Sequence, residues 1–246
     1  MATNFLVFGD GTVLEGTAFG YEGDSKGEVV FTTSMDYQDT FTDPANHGKM
    51  VIFTYPLIGD YGITAAYDAL KAWPNGVIVR EYCKQPSEMY HGKDIDTYMK
   101  EKQIIGISGI DTRALVIKIR ENGTFRGAIV RSKDDIAKTV EWLKECDGNL
   151  INKVTRQDIK AVHKGNSIEV GIIDCGVKPF YLCELLKRFD IRVFPACTPA
   201  DTILKSGVKG VIVSDGPGNP NKSCAVETIK ALKGKLPILG IGYGGG

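Results

Sequence analysis

The sequence predicts an α/β protein: a β-rich α+β domain comes first, and part of a parallel-sheet domain follows it. Three observations carry this. Residues 1 to about 60 alternate β-branched and aromatic residues between turn signals. From Ile168 onward, short apolar runs alternate with stretches of helical periodicity. Between about Asn149 and Asn166 both patterns lapse and polar residues dominate. The expected division is therefore a first domain over 1–150, a linker over 151–167 and a second domain over 168–246.

In the first domain, Asn4 to Phe8 reads as a strand, Asp10-Gly11 as a turn and Thr12 to Glu15 as the return strand. Glu28 to Thr33 and Met50 to Tyr55 are further strands, rich in residues that suit a pleated surface. The polar and aromatic stretch Ser34 to Pro44 reads either as a plain surface loop between strands or as a recognition loop held on the sheet. Asp94 to Lys102 places Ile95, Tyr98 and Met99 on one helical face. Asp111 is a good N-cap for a helix through Glu121. Ser132 with Asp135 three residues on opens another helix, in which Ile136, Val140 and Leu143 repeat at core spacing.

In the second domain, Ile168 to Ile173, Ile191 to Phe194, Val208 to Val213 and Leu236 to Ile241 read as strands. Lys178 to Arg188, Pro199 to Lys205 and Asn221 to Lys233 read as the intervening helices. Right-handed crossovers then make the sheet parallel, and sites in such sheets lie beyond the carboxyl ends of the strands. Two loops fall there. Ser214-Asp215-Gly216-Pro217-Gly218-Asn219-Pro220 is a stiff turn whose backbone N–H groups suit an anion or oxyanion. Gly240 to Gly246 has the form of a nucleophile elbow, with Gly242 where a nucleophile would stand.

Composition narrows the function classes. The formal net charge is zero, with 43% hydrophobic and 24% charged residues. That balance favours neither nucleic acid nor an anionic membrane surface as partner. No apolar run approaches the length of a membrane span. The six cysteines have no C-x-x-C spacing and, with no secretory signal, read as reduced thiols in a cytoplasmic protein. The three histidines are dispersed, His163 reads as exposed and solvated, and no metal cluster is expected. Glycine-rich stretches lack the Lys-Ser/Thr of a nucleotide loop.

The motifs together resemble the small, glutamine-hydrolysing subunit of carbamoyl-phosphate synthase. In the first domain the matching stretches are 27–31, 33–35, 37–38, 42–44, 54–62 and Gly109-Ile110-Asp111-Thr112-Arg113-Ala114-Leu115. In the second, Asp174-Cys175-Gly176-Val177-Lys178 and the 214–220 loop resemble class I glutamine amidotransferases, whose domain is flavodoxin-like. The resemblance implies a cysteine that attacks the amide of L-glutamine, a histidine oriented by a glutamate, and ammonia passed to a large synthetase subunit. ATP and its metal would belong to that subunit, so no cofactor is expected in this chain. Glutamine or oxyanion contacts would fall on Gly216, Gly218, Tyr243, Gly246 and Ala45.

Several positions depart from the family pattern. The cysteine falls on Gly242, and a glutamine-contacting serine falls on Ala45. Asp36 alone replaces a Thr-Gly pair, and Phe180 stands where asparagine is expected. The catalytic histidine and glutamate would follow Gly246, so the expectation is a truncated small chain with no amidase activity of its own. Its last strand would be left with an open edge and the second half with marginal stability. The alternatives are a non-catalytic docking module for the large subunit and an amidotransferase of the GMP-synthase type that has lost its cysteine.

Overall fold

A computed structural model describes residues 2–134, 136–145 and 148–242, and the chain divides into two compact units at Asp147/Gly148. The first unit is built on a seven-stranded closed barrel. In chain order its elements are β1 (Thr3–Phe8), β2 (Val13–Gly20), β3 (Ser25–Thr32), α1 (Tyr37–Thr42), β4 (Lys49–Phe53), β5 (Leu57–Ile58), α2 (Ala65–Asp68), β6 (Gly76–Ile78), β7 (Glu81–Tyr82), α3 (Ile95–Glu101), β8 (Ile105–Ser108), α4 (Thr112–Asn122), β9 (Phe125–Val130) and α5 (Ile136–Lys144). The barrel runs β1-β2-β8-β6-β4-β3-β9 and closes on itself, while β5 and β7 form a small separate ribbon.

Strand alternation explains how both faces of this sheet are covered. On β4, Met50 and Ile52 join a cluster with Leu115, Val116 and Ile119 of α4. Val51 and Phe53 turn the other way, toward Ile95, Tyr98 and Met99 of α3. Those α3 and α4 stripes are the ones the periodicity predicts. Asp111 caps α4 as expected, accepting from the Ala114 N–H at 3.0 Å, and Asp94 caps α3, accepting from the Thr97 N–H at 2.8 Å. The Ser132 box falls on Asp135, which lies outside the described residues.

Two readings of this unit change. The 34–44 stretch is not only a loop: Asp36 caps α1, and Tyr37 and Phe41 are buried in the α3 cluster. Six residues are too few to register as a period, so the polar surroundings masked the helix. Strands β6, β8 and β9 were not legible either. Each is short or interrupted by glycine, and pairing across the barrel rather than propensity holds it in place.

The second unit contains α6 (Ile151–Val154), β10 (Lys160–Val162), β11 (Glu169–Asp174), α7 (Pro179–Leu185), β12 (Asp190–Pro195), α8 (Ala200–Lys205), β13 (Val211–Val213), α9 (Ala225–Leu232) and β14 (Ile238–Gly240). Its sheet has the order β10-β12-β11-β13-β14. All neighbours are parallel except β10, which pairs antiparallel with β12. The 151–167 stretch thus carries a helix and an edge strand. Helices cover both faces. Ile173, Val211 and Val213 pack with Ile203 of α8 and Leu232 of α9, whereas Ile172 and Ile212 pack with Leu182 and Leu185 of α7. β14 occupies the sheet edge, and Leu239 on it is 58% exposed.

Cys197 and Cys224 form a disulfide, with Cα atoms 5.2 Å apart. The reduced-thiol reading therefore fails for this pair. A separation of 27 residues carries no pairing signal in sequence. Folding creates the proximity by laying α8 beside α9, where the Thr228 hydroxyl also donates to the Thr198 carbonyl at 2.8 Å. His163 is likewise not simply solvated. Its Nδ1 lies 3.2 Å from an Asp190 oxygen, and Asp190 also accepts the N–H groups of Lys164 and Asn166. Those contacts hold the Asp190 carboxyl below its usual range, the Lys164 N–H first among them.

Candidate functional site

The site lies where β11, β13 and β14 end together. Parallel pairing aligns Ile173 with Val213 and Val213 with Gly240, so the three following loops emerge side by side. The turn after β11 is organised by Asp174, which is 3% exposed. One of its oxygens accepts the N–H groups of Gly176 and Val177 at 3.1 and 2.9 Å, and the other accepts the N–H and Nε of Arg156 at 3.1 and 3.3 Å. A buried carboxylate with this many donors is held rigidly in place.

Cys175 follows it and is fully buried. Burial pushes its thiol up to about 12, helped by the nearby carboxylates of Asp174 and Asp215. Such a thiol carries almost no thiolate at neutral pH.

Ser214 ties the β11 turn to the loop after β13. The Cys175 N–H donates to its hydroxyl oxygen at 2.9 Å, and the hydroxyl donates to the Asp215 carbonyl at 2.9 Å. Gly216 then passes so close to Cys175 that a Cβ there would stand 2.3 Å from the Cys175 carbonyl oxygen. Only glycine fits. Gly218 takes a left-handed conformation with φ +88°, and Asn219 caps the short turn that follows. The Gly216 N–H does not face open space: it donates to an oxygen of its neighbour Asp215 at 2.8 Å.

Gly242 follows β14 with φ +53°, the left-handed kink that a nucleophile elbow imposes on its central residue. A Cβ built on it would lie 2.6 Å from Cγ of Asp215, and 2.7 and 2.8 Å from its two carboxylate oxygens. The cavity beside this elbow has a volume of about 10 Å³ and is walled by Gly176, Lys178, Tyr181, Ser214, Asp215 and Ile241 among others. That space lies between the sheet and the start of α7 and is large enough for about one water.

The structure thus brings Gly216, Gly218 and Gly242 onto the loops at one end of the second sheet. Ala45 lies in the first unit, buried, with its N–H donating to the Asp43 carboxylate at 2.9 Å. Tyr243 and Gly246 lie outside the described residues. Asp215, Asp174 and Ser214 were quoted in the motifs but not singled out. Their roles arise from hydrogen bonds between separate loops, which no spacing along the chain announces.

Residues 6–129 match the carbamoyl-phosphate synthase small chain CPSase domain, and residues 172–245 match glutamine amidotransferase class-I. The chain belongs to the carbamoyl-phosphate synthase small chain family. Among curated relatives, the carbamoyl phosphate synthase small chain of Bacillus cereus is 41% identical over 244 residues, covering 97% of this chain and 67% of its own. That of Archaeoglobus fulgidus is 39% identical, covering 97% and 69%. That of Streptococcus pneumoniae is 38% identical, covering 99% and 69%. This member of the small chain family therefore carries the small-chain domain match on its first unit and a class I amidotransferase match on its second. Among the described residues no helix is long and apolar enough to cross a membrane.

Proposed function

We propose that this chain is a small subunit that docks on a carbamoyl-phosphate synthase large subunit without hydrolysing glutamine itself. The observation that carries the reading is Gly242: the elbow's backbone kink is present, at φ +53°, and no nucleophile stands on it. Amide hydrolysis by this family's chemistry begins with a thiolate attacking the glutamine carboxamide carbon. Gly242 supplies no thiol, and Cys175 is buried and held protonated. Loss of a nucleophile from a triad costs about 10⁶ in kcat.

The first domain supports the docking half of the reading. Its family match spans 6–129, independent of the amidotransferase segment. Under this reading ATP and its metal belong to the large subunit, and this chain holds no cofactor. Ala45 stands where a glutamine contact is expected and offers no hydroxyl to make one.

The test is direct. Purified chain incubated with glutamine is expected to release no glutamate above an enzyme-free blank. Mixed with a large subunit, it is expected to co-elute and to support carbamoyl-phosphate synthesis from ammonia but not from glutamine. Glutamate release by the chain alone would overturn the first half, and failure to co-elute the second.

A further inference from the structure

The residue that decides the state of this elbow is not only the one on it. Asp215 makes two contacts that a working amidase site would need free. One carboxylate oxygen accepts the Gly216 N–H at 2.8 Å, the donor best placed to hold an oxyanion. The same carboxylate fills the space where a side chain at 242 would begin, with Cγ 2.6 Å from the ideal Cβ position. A separation under 3 Å between carbon atoms lies far inside van der Waals contact.

We propose that Asp215 is a specificity-determining residue that holds the elbow closed, occupying at once the side-chain position of residue 242 and the Gly216 oxyanion donor. The proposal rests on the reading of 242 as the nucleophile position. It goes further by making Gly242 and Asp215 a matched pair. A thiolate at 242 would meet a carboxylate at its root, and a tetrahedral oxyanion would compete with that carboxylate for the same N–H. Both are anions, so Asp215 opposes the nucleophile and the intermediate by charge as well as by bulk. Restoring a cysteine alone therefore does not restore an activated thiol. Other ionisable groups around this point are Asp174 and Cys175 at the end of β11, and Lys178 and Tyr181 at the start of α7.

The experiment uses the full chain carrying Gly242→Cys, with and without Asp215→Ala. Both are treated with iodoacetamide at pH 7.5, and alkylation is followed peptide by peptide. Cys183, exposed on α7, serves as internal reference, and the buried Cys175, which alkylates only when the unit opens, reports that the unit is folded. A one-unit rise in pKa lowers the thiolate fraction about tenfold, so the introduced thiol is expected to react at least about tenfold more slowly than Cys183. Adding Asp215→Ala is expected to recover about tenfold or more. Equal rates with and without Asp215 would overturn the proposal.

A second measurement needs no cysteine at 242. In the otherwise unchanged chain, Asp215→Ala removes the acceptor of the Gly216 N–H, and that amide is expected to exchange with solvent at least about tenfold faster by NMR. An unchanged rate would likewise overturn the proposal. Glutamate release by the unmodified chain would sink the amidase-silent reading while leaving both of these outcomes standing, so the two failures are distinguishable.

Discussion

Reducing the Cys197–Cys224 disulfide is expected to weaken the second unit far more than the first. The bridge joins residues 27 apart, from the loop before α8 to the start of α9. Cross-linking a loop of that length removes about 12 cal/mol/K from the denatured chain, or about 3.5 kcal/mol at 25 °C. A typical small domain has only about 5–15 kcal/mol in total, so the share is large. With an m value of about 1 kcal/mol/M in urea for a unit of this size, the unfolding midpoint would fall by roughly 3.5 M.

The assay is equilibrium urea unfolding of the full chain, oxidised, reduced with dithiothreitol, and as the Cys197→Ser/Cys224→Ser variant. Two transitions are expected, since the units are separate compact bodies. Only one should move, and the reduced and double-serine chains should coincide. The native loops should stay in place until unfolding, because the Thr228–Thr198 hydrogen bond spans the same gap. A midpoint that shifts by less than about 0.5 M on reduction would refute the loop-entropy reasoning.

Two further outcomes follow from single residues. Gly216→Ala drives a Cβ to 2.3 Å from a backbone oxygen that cannot swing away, and is expected to destabilise the second unit by about 3 kcal/mol or more in urea; Gly9→Ala, where a Cβ meets nothing within 4 Å, should stay within about 0.5 kcal/mol. Lys118 beside Asp10, with help from Thr12, lowers the Asp10 carboxyl from 3.8 to about 2. A carboxyl depressed in the folded state stabilises above its unfolded pKa and loses that contribution as pH falls through the folded one. Acid unfolding of the first unit should thus steepen between about pH 4 and 2, and Asp10→Asn should flatten that window; identical profiles would exclude the contact as a contributor.

Much of this architecture is legible along the chain because burial is periodic. The α3 and α4 stripes, the cap at Asp111 and the β-α alternation after Ile168 all follow from local spacing. What escapes is the part held by partners distant in sequence. β6 and β8 pair with each other and with β4 and β2 across the barrel, and each is only three or four residues long. α1 hides in a polar stretch because its burial depends on α3 and the barrel face. Cys197 and Cys224 meet only because α8 packs on α9.

The candidate site divides in the same way. The glycines at 216, 218 and 242, and the absence of a nucleophile at 242, were fixed by residue identity: a missing side chain is visible before any fold is known. Asp215 was visible only as a letter in a loop motif. That its carboxylate takes the Gly216 N–H and fills the space over Gly242 required β13 and β14 to lie side by side and end at the same level. Sequence alone determined that residue 242 carries no side chain. The tertiary structure decided what stands in its place, because a contact between two loops is a property of how strands pair in space and not of their order along the chain.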